Sequence, residues 1–141
     1  MINHHDALIY TMVLASAADR NMSDAELRTM GEIVSFLPIF EDFDHDRLPN
    51  VARACAELLL SDTGLDTALD LIKKQLTPEL RETAYAVACD VVAADRKVSQ
   101  ETLRLLELLR QKLEIDDLIA AAIERATRAR HRSLGHHHAR P

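Results

Sequence analysis

The chain has 141 residues, 48% of them apolar, and a formal net charge of −6. That is enough apolar side chain for one core without disulfides or a structural metal. A count of 20 Ala and 21 Leu against 15 Val plus Ile and three Gly excludes an all-β fold, and no two glycines lie close enough for the phosphate-cradling loop of a dinucleotide or P-loop fold.

Helical patterns follow one another along the chain. Residues 4–19 form the first predicted helix, with Leu8, Ile9, Met12, Val13 and Ser16 on one stripe. Ser23-Asp24-Ala25-Glu26 is a capping box that opens a second, whose apolar face is Leu27, Met30, Ile33, Val34 and Leu37. Pro38 stops it. Residues 41–46 are an acidic connector, read as a solvated capping loop, and Asp46 is the expected cap of a third helix with Pro49 in its first turn. That helix is predicted to run through Leu58, Leu59 and Leu60 to Ser61, with Gly64 as terminator or restart point. A fourth covers 65–76. Thr77-Pro78 opens a fifth to Asp95, Ser99 caps a sixth to Leu113, and Asp116 or Asp117 starts a seventh that enters an Arg-rich end. Residues 134–141 have no core-forming pattern and are expected to be a disordered tail, leaving 1–133 as one domain.

Charge is unevenly spread. Residues 1–123 carry 12 basic and 22 acidic side chains, whereas 124–141 carry five Arg and one Glu. The acidic body repels nucleic acid and favours cations or basic partners, and the five aromatics (Tyr10, Phe36, Phe40, Phe43, Tyr85) make no nucleic-acid stacking surface. Cys55 and Cys89 lie in Ala/Leu-rich helical segments without CxxC or His at metal-ligand spacing, and read as reduced packing residues. The first residues lack the basic n-region of a signal peptide, and no apolar run approaches the ~20 residues of a membrane span. The expected location is cytoplasmic.

An internal repeat is the strongest signal. Ala17-Ala18-Asp19-Arg20-Asn21-Met22-Ser23 recurs as Ala93-Ala94-Asp95-Arg96-Lys97-Val98-Ser99, a shift of 76, and seven of twelve positions are identical over residues 17–28. The shift also pairs Asp6 with Glu82, Met30 with Leu106, Ile33 with Leu109 and Leu37 with Leu113. The first and second helices thus form a hairpin of which the fifth and sixth are a copy, related by an approximate twofold. The period is too long for a solenoid.

Each hairpin turn gathers a carboxylate, a hydroxyl and several carbonyls. Asp19 with Glu26, and Asp95 with Glu101, are the candidate ligands, an all-oxygen set suited to a hard divalent cation such as Ca²⁺ or Mg²⁺. The second set is poorer. Thr102 occupies the position equivalent to Glu26, and moving the acid to Glu101 turns it by about 100°. The EF-hand pattern is not met, because Met30 and Leu106 stand where its bidentate Glu is required. The same residue types in an interhelical turn are also ordinary capping chemistry, so capping alone and cation binding both account for the motif.

The paired Ala-Ala-Asp-x-x-x-Ser hairpins, the Leu37-Pro38-x-Phe40-x-x-Phe43-Asp44 connector and Leu80-Arg81-Glu82-Thr83-Ala84-Tyr85 resemble the TerB family, the tellurite-resistance TerB and TerB-like domains of bacteria, over roughly residues 5–118. The resemblance implies seven helices with pseudo-twofold symmetry and acidic metal-binding residues in the paired motifs. It also implies a non-enzymatic role with a protein partner, in a stress or metal-response complex at the periphery of the membrane. The family's usual Asp-Gly followed by Glu seven residues after the Asp is matched by Asp19 and Glu26. Arg20 and Arg96 replace the glycines, Asp95 matches, and the second Glu is displaced to Glu101. An Arg there loses left-handed freedom and sets a positive charge beside the Asp.

Other residues carry blander readings. Asp90, about 140° around the helix from Asp95, is expected to be exposed or structurally paired. His4 and His5 read as surface residues, and His136–His138 as a chelating tract without native role. Arg125, Arg128, Arg130 and Arg132 complement the macrodipole of the last helix or meet an anionic surface or acidic partner. No Ser/His/Asp or Cys/His arrangement is recognisable, so neither an enzyme nor a small-molecule substrate is expected. Two functions follow: a cation-binding module acting through partners, or a structural interaction domain with vestigial metal sites.

Overall fold

The computed structural model describes residues 2–17, 23–94 and 98–134. They form seven α-helices and no strand: α1 His4–Ala17, α2 Asp24–Phe36, α3 Leu48–Leu58, α4 Gly64–Gln75, α5 Pro78–Ala94, α6 Gln100–Lys112 and α7 Asp117–Arg130. The all-α fold read from composition is the fold adopted. Asp19, Asp95 and the tail from Gly135 lie outside the described residues.

Burial is unequal among the helices. Every residue of α1 from His5 to Ser16 is buried. The predicted stripe was therefore too narrow, since Ala7, Tyr10, Leu14 and Ala15 are covered as well. The cause is its position: α5 lies along it, α3 and α4 close other sides, and α6 and α2 also touch it. A helix so enclosed keeps no polar face. Its interior hydroxyl at Thr11 is satisfied within the helix, donating to the Ala7 carbonyl at 2.8 Å. α5 is the second core helix, burying Tyr85, Val87, Cys89, Val91 and Val92 together with Ala84 and Ala88, whose small side chains allow close helix approach. α2 and α7 lie on α5, while α6 touches both α1 and α5. Each hairpin's second helix thus packs on the other hairpin's first helix.

Local chemistry explains most boundaries. Ser23 and Glu26 form the reciprocal capping box: the Glu26 amide donates to Ser23 Oγ at 3.1 Å, and the Ser23 amide donates to Glu26 Oε1 at 2.9 Å. Ser99 caps α6 by accepting from the Thr102 amide at 3.1 Å. Thr77 accepts from the Leu80 amide at 3.3 Å. Of the two candidates for α7, Asp116 is the cap, accepting from the Leu118 amide at 3.1 Å.

Three boundaries depart from expectation. Asp46 does not cap α3. Asp44 instead accepts from the Asp46 amide at 3.0 Å and opens a 3-10 turn, His45–Arg47, after which α3 starts at Leu48. A second 3-10 turn, Pro38–Phe40, follows α2. α3 ends at Leu58 rather than Ser61, because the chain must turn sharply into α4. Gly64 makes that turn possible: a Cβ at this position would lie 2.0 Å from the Leu58 carbonyl oxygen.

The expected surface placement of the N-terminal histidines fails for His5. Its ring is buried beside Phe40 and Phe43, with ring centroids at 5.6 Å and 5.3 Å. Nε2 donates to the Ile39 carbonyl at 2.8 Å and lies 3.2 Å from Asp42 Oδ1. The connector is thus anchored to α1 by its aromatics, while its acidic residues stay at the surface.

The two glycines in helices give opposite predictions. Gly64→Ala forces backbone apart and should destabilise by about 3 kcal/mol. At Gly31, inside α2, an added Cβ meets nothing within 4 Å, so Gly31→Ala should stabilise by roughly 0.5–1 kcal/mol. Urea midpoints of the two variants against the parent measure both.

Candidate functional site

The two hairpin turns are best compared through their described flanks. In the first, Glu26 is buried at 5% exposure, and its carboxylate faces the Ser23 amide through Oε1. Ser16, three positions before Asp19, is buried at 1%, and its Oγ has no hydrogen-bond partner. Buried hydroxyls are normally satisfied. The first hairpin therefore places a buried carboxylate and an unsatisfied buried hydroxyl oxygen on the two helix ends that flank its Asp. Oxygen donors of this kind fit a hard divalent cation.

The second hairpin differs at each equivalent position. Thr102 takes the place of Glu26, equally buried, and Val92 takes the place of Ser16. The Thr102 hydroxyl is used locally, 3.0 Å from Ser99 Oγ. Glu101 is exposed, at the edge of a groove of about 400 Å³ whose apolar wall is Leu14, Ala17, Leu59, Leu65, Leu105 and Leu108. The described flanks of this turn thus offer no buried carboxylate. Of the four candidate ligands, Glu26 and Glu101 are described and Asp19 and Asp95 are not. Among the described residues, no group of three or more His, Cys, Asp or Glu is placed to hold a metal ion.

The repeat also drifts in register. α2 buries Glu26, Met30 and Val34, whereas α6 buries Thr102, Leu105 and Leu109. The cap positions obey the shift of 76, but Leu106, the counterpart of Met30, is only half-buried. The neighbours differ: α6 also meets α4, a contact for which the first hairpin has no counterpart among the principal helix packings.

Polar residues elsewhere differ in whether they are paired. Asp90 is paired, as expected, with Arg130 Nη2 at 2.6 Å and His131 Nε2 at 3.2 Å, which ties the end of α7 to α5. Arg125, Arg128 and Arg132 are exposed, without an ion pair among the described residues. Sequence reasoning missed Tyr85, whose hydroxyl donates to Glu124 Oε2 at 2.5 Å. Burial first, then this bond, raises its pKa. The signal available was a Tyr inside an apolar helix, which needs a partner for its hydroxyl.

Both cysteines are buried and free. Desolvation pushes each thiol up to about 12, so neither supplies a thiolate nucleophile or metal ligand near neutral pH. No helix among the described residues is long and apolar enough to cross a membrane.

The sequence model of the family described as tellurite resistance protein TerB matches residues 5–134 of the chain. No curated protein matches it. No solved structure matches it either.

Thiol burial sets a pH dependence. The folded chain keeps thiol protons that the unfolded chain releases from pH 9.0 upward, so this stability is whole below pH 9.0 and is lost as pH rises toward about 12. Urea midpoints should fall across that window, and less steeply in a Cys55→Ala/Cys89→Ala variant. A thiol reagent at neutral pH should label neither cysteine until the protein is unfolded.

Proposed function

Because the chain belongs to the tellurite resistance protein TerB family, we propose that it is a non-catalytic helical module that binds one divalent cation, Ca²⁺ or Mg²⁺, at the first hairpin turn. In this reading Asp19 and Glu26 are the charged ligands, and the module acts through a protein partner in a bacterial tellurite or stress-response complex. The supporting observation is the unequal polar inventory of two equivalent turns: buried Glu26 and unsatisfied Ser16 in the first, Thr102 and Val92 in the second. A duplicated cap needs no such difference. The second turn keeps its cap at Ser99 and has lost its buried acid, so Asp95 and Glu101 contribute no site of their own.

One observation favours a different reading. Ser23 and Glu26 are already joined in a complete capping box, which a purely structural interaction domain would retain for stability alone.

Thermal unfolding separates the two. With Ca²⁺ or Mg²⁺ at a hundredfold excess over its dissociation constant, the melting point should rise by several degrees, the equivalent of about 2.7 kcal/mol. Asp19→Asn should abolish the rise. Glu26→Gln, which keeps the capping box, should abolish it too. Glu101→Gln should leave the rise intact. No shift with any divalent ion would leave the structural domain as the function of these turns.

A further inference from the structure

α6 presents an unusual outer surface. Only Thr102, Leu105 and Leu109 of this helix are buried. It stands as a ridge between two grooves, one bordered by Leu103 and Glu107, the other by Arg104 and Leu108. Along the crest run Gln100, Arg104, Glu107 and Gln111, all exposed. Their four–three–four spacing places them on one face of the helix. Leu103 and Leu108 flank the crest on opposite sides, 51% and 37% exposed. Arg104 and Glu107 form no ion pair with the described residues.

The crest is complementary to its own reverse. When α6 lies antiparallel on a copy of itself, with the midpoint between Leu105 and Leu106, Arg104 faces Glu107 of the partner subunit. Gln100 then faces Gln111 of the partner subunit. An isologous twofold contact requires such a self-complementary surface. The helix carries no excess of acid of its own: Arg104 stands with Glu101 and Glu107, while Arg110 and Lys112 are paired with Asp117 and Asp70. We propose that α6 is a homodimer interface, and that its partner is α6 of a second copy of this chain, packed antiparallel.

The test uses the full chain in sedimentation velocity over about a hundredfold range of concentration. The parent should pass from monomer to dimer. Arg104→Glu sets Glu against Glu across the twofold, and Glu107→Arg sets Arg against Arg. Each should raise the dissociation constant at least about tenfold. Mixing the two single variants should restore a dimer, now a heterodimer, because each acidic crest meets a basic one. The double variant, with both charges exchanged, should dimerise like the parent. All four positions on the crest are exposed, and circular dichroism checks that each variant stays helical. A parent that is monomeric throughout overturns the proposal. So does a dimer that both single variants leave intact, or a pair of variants that fails to associate on mixing.

Discussion

A helix with no solvent face constrains everything around it. α1 is enclosed from His5 to Ser16, and α5 supplies its longest contact. Each further helix has a place defined by these two: α3 and α4 over α1, α2 and α7 over α5, and α6 against both. An Ala- and Leu-rich composition suits this arrangement, because small residues such as Ala7, Ala15, Ala84 and Ala88 let helices approach while larger ones fill the space between. Polar groups enter such a core only where they are satisfied, as Thr11 is by its own helix and His5 by the Ile39 carbonyl. Ser16 is the exception, and it lies where the chain leaves the core for the first hairpin turn.

The two hairpins show how a duplicated motif divides its tasks. Caps are local, so they survive in both copies: Ser23 and Ser99 each accept an amide three residues on. The residue three positions after each serine is buried in both, yet it is Glu in one and Thr in the other. The backbone requirement is the same and the chemistry is not. A carboxylate at that position answers a backbone donor. A threonine hydroxyl answers its neighbouring serine. The cap is thus common to both copies, and the buried acid belongs to the first alone.

What was legible from sequence divides along the same line between local and distant. The caps at Ser23, Thr77, Ser99 and Asp116 depend on residues two or three apart, and each was readable. The breaks around Pro38 and Gly64 followed from backbone sterics. The unreadable features depend on contacts across the fold. Periodicity can name the side of α1 that is most apolar but not that every side is covered. His5 is buried because Phe40 and Phe43 return to it from the connector, and Asp90 meets Arg130 across forty residues of chain. Asp44 displaced Asp46 as a cap because a 3-10 turn fits between connector and α3, a choice between two equally suitable acids two residues apart. For the candidate site, the acidic residues of the two turns were legible from the repeat, and the inequality of the turns was partly so. The burial of Glu26 and the orphaned Ser16 oxygen were not, since both depend on which helices pack around the end of α1 and the start of α2.

The enclosure of α1 bears on how the chain is made. Synthesis delivers α1 before any of the helices that cover it, and its main partner, α5, follows only after α2, α3 and α4. Pairings between distant segments form late and slowly, and unpaired apolar surface in the meantime invites association with other chains. A nascent chain that stops short of Pro78 can cover α1 with α3 and α4, but the side that α5 occupies has nothing to pack against. The stretch of synthesis between α4 and α5 is therefore the interval in which this core helix is most open to association with other chains.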